Sequence, residues 1–513
     1  MTRLLIILAL LGFDLNAQTN YNKSWCLGAN YIYRVTFSPS PQITIYNNTN
    51  FLTCTGGNSN ICDSYGNIIL ATDGMNIYDS TGNFIDKGDT LASSNFYNYY
   101  VGFNPASQAS IFLPFENRIY YLITLDASDS MFNWWFAPPL PHIAPFDRLL
   151  YHKIDMNANG GAGKVIQRSK IIVEQDSMLK AMMIACRHAN GKDWWLVKQM
   201  YEYSPGNLKS KNKIATFLVT KDSVYPPVIT YFQDFLFSDY DQAGQAIFNQ
   251  DGTKYAATCR GTNKVFLADF DRCTGIFSNP KTYNVPNYSC HNPNDSSWVD
   301  SFTHGLEFSP STQFLYISKS YNILQLDITD NDSATAWYHV AGLDTAWNYF
   351  PKYSRLSIGY DNKVYLGYVG AIRNTMSHID NPDVKGLGCN FCAACLLFPY
   401  AIVSTPPNMP NYDLGELQPC WPVGSNDVEM SDNKFVVFPN PADAYVTIEY
   451  KLEKNESARI FIYDLLGRER IISDLSFSSN RKMLDVSKLE IGIYTYKFVI
   501  NNKESYIGKI VIE

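Results

Sequence analysis

Gln245-Ala246-Ile247-Phe248-Asn249-Gln250-Asp251-Gly252-Thr253-Lys254-Tyr255-Ala256-Ala257 reads as a single β-hairpin. A short apolar strand ends at Phe248, Gln250-Asp251-Gly252 form a polar turn, and an alternating strand returns from Thr253. Units of the same make recur on both sides of it. Asn67 to Tyr78 is one, with Thr72-Asp73-Gly74 inside it. Ala109 to Leu113 turns at Glu116-Asn117 into Arg118 to Leu122. Ala181 to Ala185 turns at Asn190-Gly191-Lys192 into Asp193 to Val197. Leu306 to Pro310 is followed by Phe314 to Ser318, and Leu356 to Gly359 turns at Asp361-Asn362-Lys363 into Val364 to Gly367. A weaker unit lies between Tyr31 and Leu52.

The turns follow one another at intervals of roughly forty to seventy-five residues, and repeats of four-stranded sheets at about forty to fifty residues are the signature of propeller blades. Outer hairpins fit the same unit: Lys264 to Asp271 ends in Arg272-Cys273-Thr274-Gly275, and Ile323 to Asp327 parallels it. One blade cannot bury both faces of its sheet alone, so such units come stacked. The expectation is an all-β chain, with a seven-bladed-type β-propeller over 18–420. Two β-sandwiches in tandem are the alternative.

Composition agrees. Aromatic residues make up 15% of the 513 residues, 36 of them Tyr, against 17% charged, and Tyr favours pleated, half-buried surfaces. The net charge of −7 argues against a dedicated nucleic-acid binder, which needs a basic face. Eleven cysteines leave at least one free thiol, or a pairing outside the chain, in an oxidising compartment.

The first residues read as a signal peptide over 1–17: Arg3, the apolar run Leu4 to Phe13, and the small-residue exit at Ala17. That run is about ten residues, where a membrane span needs roughly twenty. Residues 421–434 are polar and carry Gly, Ser and Asp, as a linker does. From Phe435 onward the strands are dense and alternating. Val446, Ile448 and Tyr450 share one face, as do Tyr494, Tyr496, Phe498 and Ile500. About seven short strands in this stretch suit a small immunoglobulin-like β-sandwich over 435–513.

Three landmarks in that last stretch carry a resemblance. They are Phe438-Pro439-Asn440-Pro441-Ala442, then Ile462-Tyr463-Asp464-Leu465-Leu466-Gly467-Arg468, and finally Leu484 to Leu489 with Gly492-Ile493-Tyr494 and the closing Gly508-Lys509-Ile510-Val511-Ile512. Together they resemble the type A C-terminal sorting domain of the type IX secretion system. The resemblance implies passage through the Sec translocon, recognition by an outer-membrane translocon with its sorting protease, and release or anchoring to surface lipopolysaccharide. Physically, the prolines stiffen the approach to the first strand. Gly467 supplies a turn, and Gly492 is expected to permit a tight approach. The body is similar, less sharply, to the propellers of gliding-motility and PKD-associated surface proteins. That similarity rests on Thr72-Asp73-Gly74, Gly160-Gly161-Ala162-Gly163, Arg187 to Trp195, His304 to Pro310 and Pro410-Asn411-Tyr412.

Candidate chemistry is sparse. The seven His residues show no zinc-binding spacing, and His188 is expected to orient a loop. Gly160 to Gly163 lacks the Ser or Thr and the spacing of a phosphate loop. Asp327, Asp330 and Asp332 read as a solvated turn rather than a calcium loop. No Gly-x-Ser-x-Gly occurs, and no cofactor or metal is expected. Cys389, Cys392, Cys395 and Cys420 read as disulfide candidates, with Cys54–Cys62 and Cys273–Cys290 as weaker pairs. Trp134, Trp135 and Phe136, ahead of Pro138 to Pro141, read as an aromatic loop for binding, or as packing between blades. The role expected is binding or adhesion to an extracellular glycan, polymer or protein. The alternatives are an exported hydrolase or lyase, and a purely structural surface protein.

Overall fold

In the computed structural model the described residues run from Asn20 to Ile512. Outside them lie 29–30, 38–39, 47–52, 55, 139–145, 201–212, 233–243, 260–262, 288–301, 333–334, 343–351, 370–372, 403–404, 418–434, 455, 465–466, 477–478, 480 and 502. The expected signal peptide, the linker, Cys290 and Cys420 therefore fall outside. The chain divides into two compact units, Met1–Cys420 and Trp421–Glu513.

The first unit is a succession of antiparallel sheets whose strands pair in sequence order. The first holds β1 (Ser24–Gly28), β2 (Ile32–Phe37) and β3 (Pro41–Tyr46); the second holds β4 (Ser59–Cys62), β5 (Ile68–Thr72) and β6 (Ile77–Tyr78). After a short helix, α1 (Asn95–Tyr99), come β7 (Ser110–Phe115) and β8 (Ile119–Asp126). A second helix, α2 (Asp129–Trp135), precedes β9 (Phe146–Asp155), β10 (Lys164–Arg187), β11 (Trp194–Met200), β12 (Lys213–Val219) and β13 (Val228–Tyr231), and β7 to β13 form one seven-stranded sheet. Three four-stranded meanders follow. The first is β14 (Ala246–Phe248), β15 (Lys254–Cys259), β16 (Lys264–Phe270) and β17 (Phe277–Asn284). The second is β18 (Thr303–Phe308), β19 (Phe314–Lys319), β20 (Asn322–Asp327) and β21 (Trp337–Ala341). The third is β22 (Lys352–Ile358), β23 (Val364–Val369), β24 (Arg373–Ile379) and β25 (Phe391–Ile402).

Each hairpin read from the sequence is a paired hairpin here, including β14–β15 around Asp251 and Gly252. Gly252 has φ of 73°, and that turn is open to glycine at no steric cost.

The seven-stranded sheet is two four-stranded halves sharing β10. Lys164 to Glu174 pair with β9, Met183 to Arg187 pair with β11, and the register breaks between Met178 and Met183. Met182 sits at φ 64° in that break. The Lys198 ammonium donates to the carbonyls of Leu179 and Ala181, at 2.6 and 2.5 Å. A bulge leaves backbone acceptors unpaired, and here a buried lysine satisfies them.

Successive sheets share cores, and the last sheet returns to the first. Trp25, Leu27, Tyr33, Val35 and Phe37 of the first sheet pack with Tyr365, Met376 and Phe398 of the last. The Tyr400 amide donates to the Tyr33 hydroxyl at 2.9 Å. Among the described residues, no helix is long and apolar enough to cross a membrane.

The second unit has two antiparallel sheets around one core. One is β26 (Phe435–Phe438), β27 (Tyr445–Tyr450) and later β30 (Arg481–Asp485). The other is β28 (Ala458–Tyr463), β29 (Glu469–Leu475), β31 (Gly492–Ile500) and β32 (Lys503–Ile512). Val446, Ile448, Tyr494, Phe498 and Ile510 fill the space between them.

Candidate functional site

Three prolines in Thr405-Pro406-Pro407-Asn408-Met409-Pro410-Asn411-Tyr412 bar this stretch from a β-ladder, since each lacks a donor. It is nonetheless held along most of its length. Asparagine side chains do much of what the backbone cannot. Asn408 donates from Nδ2 to the carbonyls of Ser110 and Met183, both at 2.9 Å. Its Oδ1 accepts from Gln108 Nε2 at 3.1 Å, its amide reaches Asn58 O, and its carbonyl accepts from Ser59 Oγ. One residue therefore joins the opening strands of three sheet units, β4, β7 and β10. Further on, Asn411 Nδ2 donates to Gln250 O at 2.7 Å and the Tyr412 hydroxyl to Phe112 O at 3.1 Å. Arg272 then donates to Gly415 O at 2.7 Å, and the Leu417 amide to Ala189 O at 2.8 Å.

Two glutamines extend this network. Gln108 donates to Ala246 O and accepts from the Ala246 amide, while Gln245 does the same with Leu356 and also accepts from the Leu306 amide. Each side-chain amide replaces a peptide group and links first strands of different sheets. Asn408 thus holds the opening strands β4, β7 and β10, and Gln108 and Gln245 tie them on to β14, β18 and β22. Sequence reading missed this role for Asn408. The signal was there in asparagines spaced between prolines after the last repeat.

Buried ionisable groups serve the same framework. Glu307 accepts from the amides of Phe308 at 3.0 Å and Ile358 at 3.3 Å, and burial pushes its carboxyl up to about 8. Its neutral form is favoured in the fold. It therefore contributes stability that is whole below the ordinary carboxylate value near 4.5 and lost as pH rises towards 8. In Glu307→Gln, the melting temperature should gain on the parent's between pH 5 and pH 8.5. Parallel pH profiles would refute this. His152 accepts from the Ser169 amide and donates to Thr124, and burial pushes it down to about 3. His188 accepts from the Asn190 amide and donates to Cys273 O, so it braces a turn, as expected. Asp73 accepts from Met75, Asn76 and Tyr78 within its own turn.

The Trp134-Trp135-Phe136 stretch corrects the expectation of a loop. It ends helix α2, whose N-cap Ser128 accepts from the Met131 amide. A seven-residue helix is too short for its period to stand out in sequence. Trp135 is 7% exposed and stacks edge-on against Phe96 of α1 and Phe146 of β9, so its faces are spent inside the core. Trp134 is half-buried against the same core. Phe136, 48% exposed, lies 5.2 Å from the ring of Tyr99, 57% exposed, at the end of α1. Asp129 accepts from the Asn95 amide at 2.6 Å and Asn133 from Asn95 Nδ2 at 3.3 Å, which locks the two helices together.

The cysteines are also re-paired. Cys392 and Cys395 form a disulfide and Cys389 is a free, buried thiol. Cys273 is disulfide-bonded. Cys54 lies not with Cys62 but with Cys26, at 3.4 Å between sulfurs.

In the second unit the landmarks are joints. Asn440, between Pro439 and Pro441, donates to Lys509 O at 2.9 Å and accepts from the Val511 amide at 2.8 Å, fastening the first strand's exit to the last strand. Gly467 has φ of 75° in a turn braced by Asp464 and Arg468. The tight approach expected at Gly492 is absent, for a Cβ there would meet only Glu490 O at 4.0 Å. It occurs at Gly508, where a Cβ would strike the ring of Tyr496, its cross-strand partner. Tyr494 donates its hydroxyl to Glu490 O.

Among curated proteins none matches the chain. Three solved structures illustrate what the fold is similar to. The periplasmic gluconolactonase PpgL of Pseudomonas aeruginosa is 10% identical, covers 96% of this chain and 99% of its own, and has a TM-score of 0.35. Hydrazine synthase of Kuenenia stuttgartiensis is 10% identical over 69% of this chain and 90% of its own, with a TM-score of 0.35. Hsv2 of Kluyveromyces lactis is 9% identical over 70% and 90%, with a TM-score of 0.34. Likeness of this degree carries no argument about chemistry. The family comparison is sharper, because residues 436–513 match the secretion system C-terminal sorting domain. The second unit is thus a sorting domain of type IX secretion, and the chain is a cargo which that system exports to the cell surface or the extracellular space.

Proposed function

We propose that the exported body, residues 18–420, is a seven-bladed β-propeller that binds an extracellular glycan or other polymer. Residues 1–17 then serve as signal peptide for the Sec translocon, 421–434 as linker, and 435–513 as an immunoglobulin-like sandwich read by the outer-membrane translocon. A sorting protease and a lipopolysaccharide anchor complete the route. The blade count is supported by the cyclic run of shared cores, with β10 serving two four-stranded units. The sandwich reading is supported by seven strands in two sheets around a single core.

Binding is supported by one observation above the rest. Tyr99 and Phe136 expose adjacent rings on two helices that hydrogen bonds hold rigid. Rings fixed in advance lose little entropy when they stack on a sugar face. The test is a glycan and polymer screen with the parent and with Tyr99→Ala/Phe136→Ala, each beside a melting curve. The double variant should keep its melting temperature and lose binding by roughly tenfold or more, the order of two stacked rings. Undiminished binding by the folded variant would refute the assignment.

A further inference from the structure

We propose that Cys26 and Cys54 are joined by a disulfide in the exported protein. Their sulfurs lie 3.4 Å apart in the same buried cluster, at 2% and 1% exposure. Cys62, in the same cluster, donates its thiol to Ser24 O at 3.5 Å. Backbone geometry holds the two together. Cys54 donates its amide to Gly28 O at 2.7 Å, two residues beyond Cys26 on β1. The Cys26 amide is itself held by Asn60 Oδ1 on β4, at 2.9 Å. Closing the bond needs a movement of about 1.4 Å between sulfurs, to the ordinary bond length near 2 Å.

The setting favours oxidation. The chain leaves the cell's reducing interior, where thiols are otherwise kept reduced. It already carries oxidised cysteines at Cys392–Cys395 and at Cys273. In the step, one cysteine's thiolate attacks a disulfide-bonded oxidant of the cell envelope and releases one thiol from it. The second cysteine's thiolate then attacks the mixed disulfide and releases the other. Two cysteine protons and two electrons pass to the oxidant, which leaves as a dithiol. Because both sulfurs are buried, the exchange belongs to the stage before the body closes around them. The product would staple β1, which packs on the last sheet, to the residue that leads into the second sheet. It would lie beside the seam where the body's first and last sheets meet.

The experiment uses full-length protein recovered from the surface or the medium, denatured without reductant, alkylated and digested. A peptide pair linked through Cys26 and Cys54, two hydrogens lighter than the separate thiols and split by reductant, is the expected result. Alkylation of both residues without reductant, or either one linked to Cys62, would overturn it. Cys26→Ser and Cys54→Ser supply a second measurement. Each should expose its former partner as one new alkylatable thiol and lower the denaturant midpoint, and a thiol count that falls by one in both variants would also overturn the assignment. Should a variant fail to fold, the peptide map of the parent still decides.

Discussion

Asn408→Ala should be among the most damaging single substitutions in the body, lowering stability by roughly 3 kcal/mol or more. The side chain is 3% exposed, and it satisfies the carbonyls of Ser110 and Met183 and an amide proton of Gln108. Alanine leaves all three without partners, and each buried orphan costs about 1–3 kcal/mol. These costs are not additive, because a small cavity or a water can recover part of the loss. The effect should still exceed that of a surface change such as Tyr65→Ala, at a residue 81% exposed, which belongs within about 0.5 kcal/mol of the parent. Denaturant unfolding followed by tryptophan fluorescence measures both. An Asn408→Ala midpoint indistinguishable from that of Tyr65→Ala would show that Asn408 decorates the opening strands rather than holds them.

Deleting residues 436–513 should abolish export past the outer membrane while leaving the body folded. Each unit has its own core. The sorting domain's runs from Ala442 to Ile512, and the body's clusters draw only on residues before 418. Removing the tail therefore leaves each described core cluster of the body with all its members. Fractionated cells should show the truncated body confined within the envelope and absent from surface and medium. Its melting curve should match that of the same body within the full chain. Surface delivery of the truncated protein would refute the role of the tail, and failure of the body to fold would refute the independence of the cores. A gentler form of the test is Gly508→Ala, which forces a Cβ against the ring of Tyr496 and strains the last strand without removing the motif.

How far the sequence could be read follows from how far apart the interacting residues lie. The hairpins were legible because an apolar strand, a turn residue of the right conformation and an alternating strand sit within a dozen residues of one another. Asn249 to Tyr255 illustrates this: the Asn249 amide meets Lys254 O and Gly252 meets Asn249 O. The sorting landmarks were legible for a related reason, being joints such as Asn440 and Gly467 whose residue type follows from local backbone demands. Gly492 shows the limit. Its residue type was visible, but the close contact belonged to Gly508, and cross-strand register decides that.

Sequence alone therefore determined the all-β character, the succession of hairpins and the exported fate, since each rests on short-range pattern. Tertiary structure decided what ties the opening strands together, which cysteine Cys54 faces, and which rings of the aromatic stretch remain in solvent. Asn408 and Ser110 are 298 residues apart, and Cys26 and Cys54 are 28. Contacts at such separations obey no local period. They exist only once the sheets have packed on one another, bringing the opening strands β4, β7 and β10 together around Asn408.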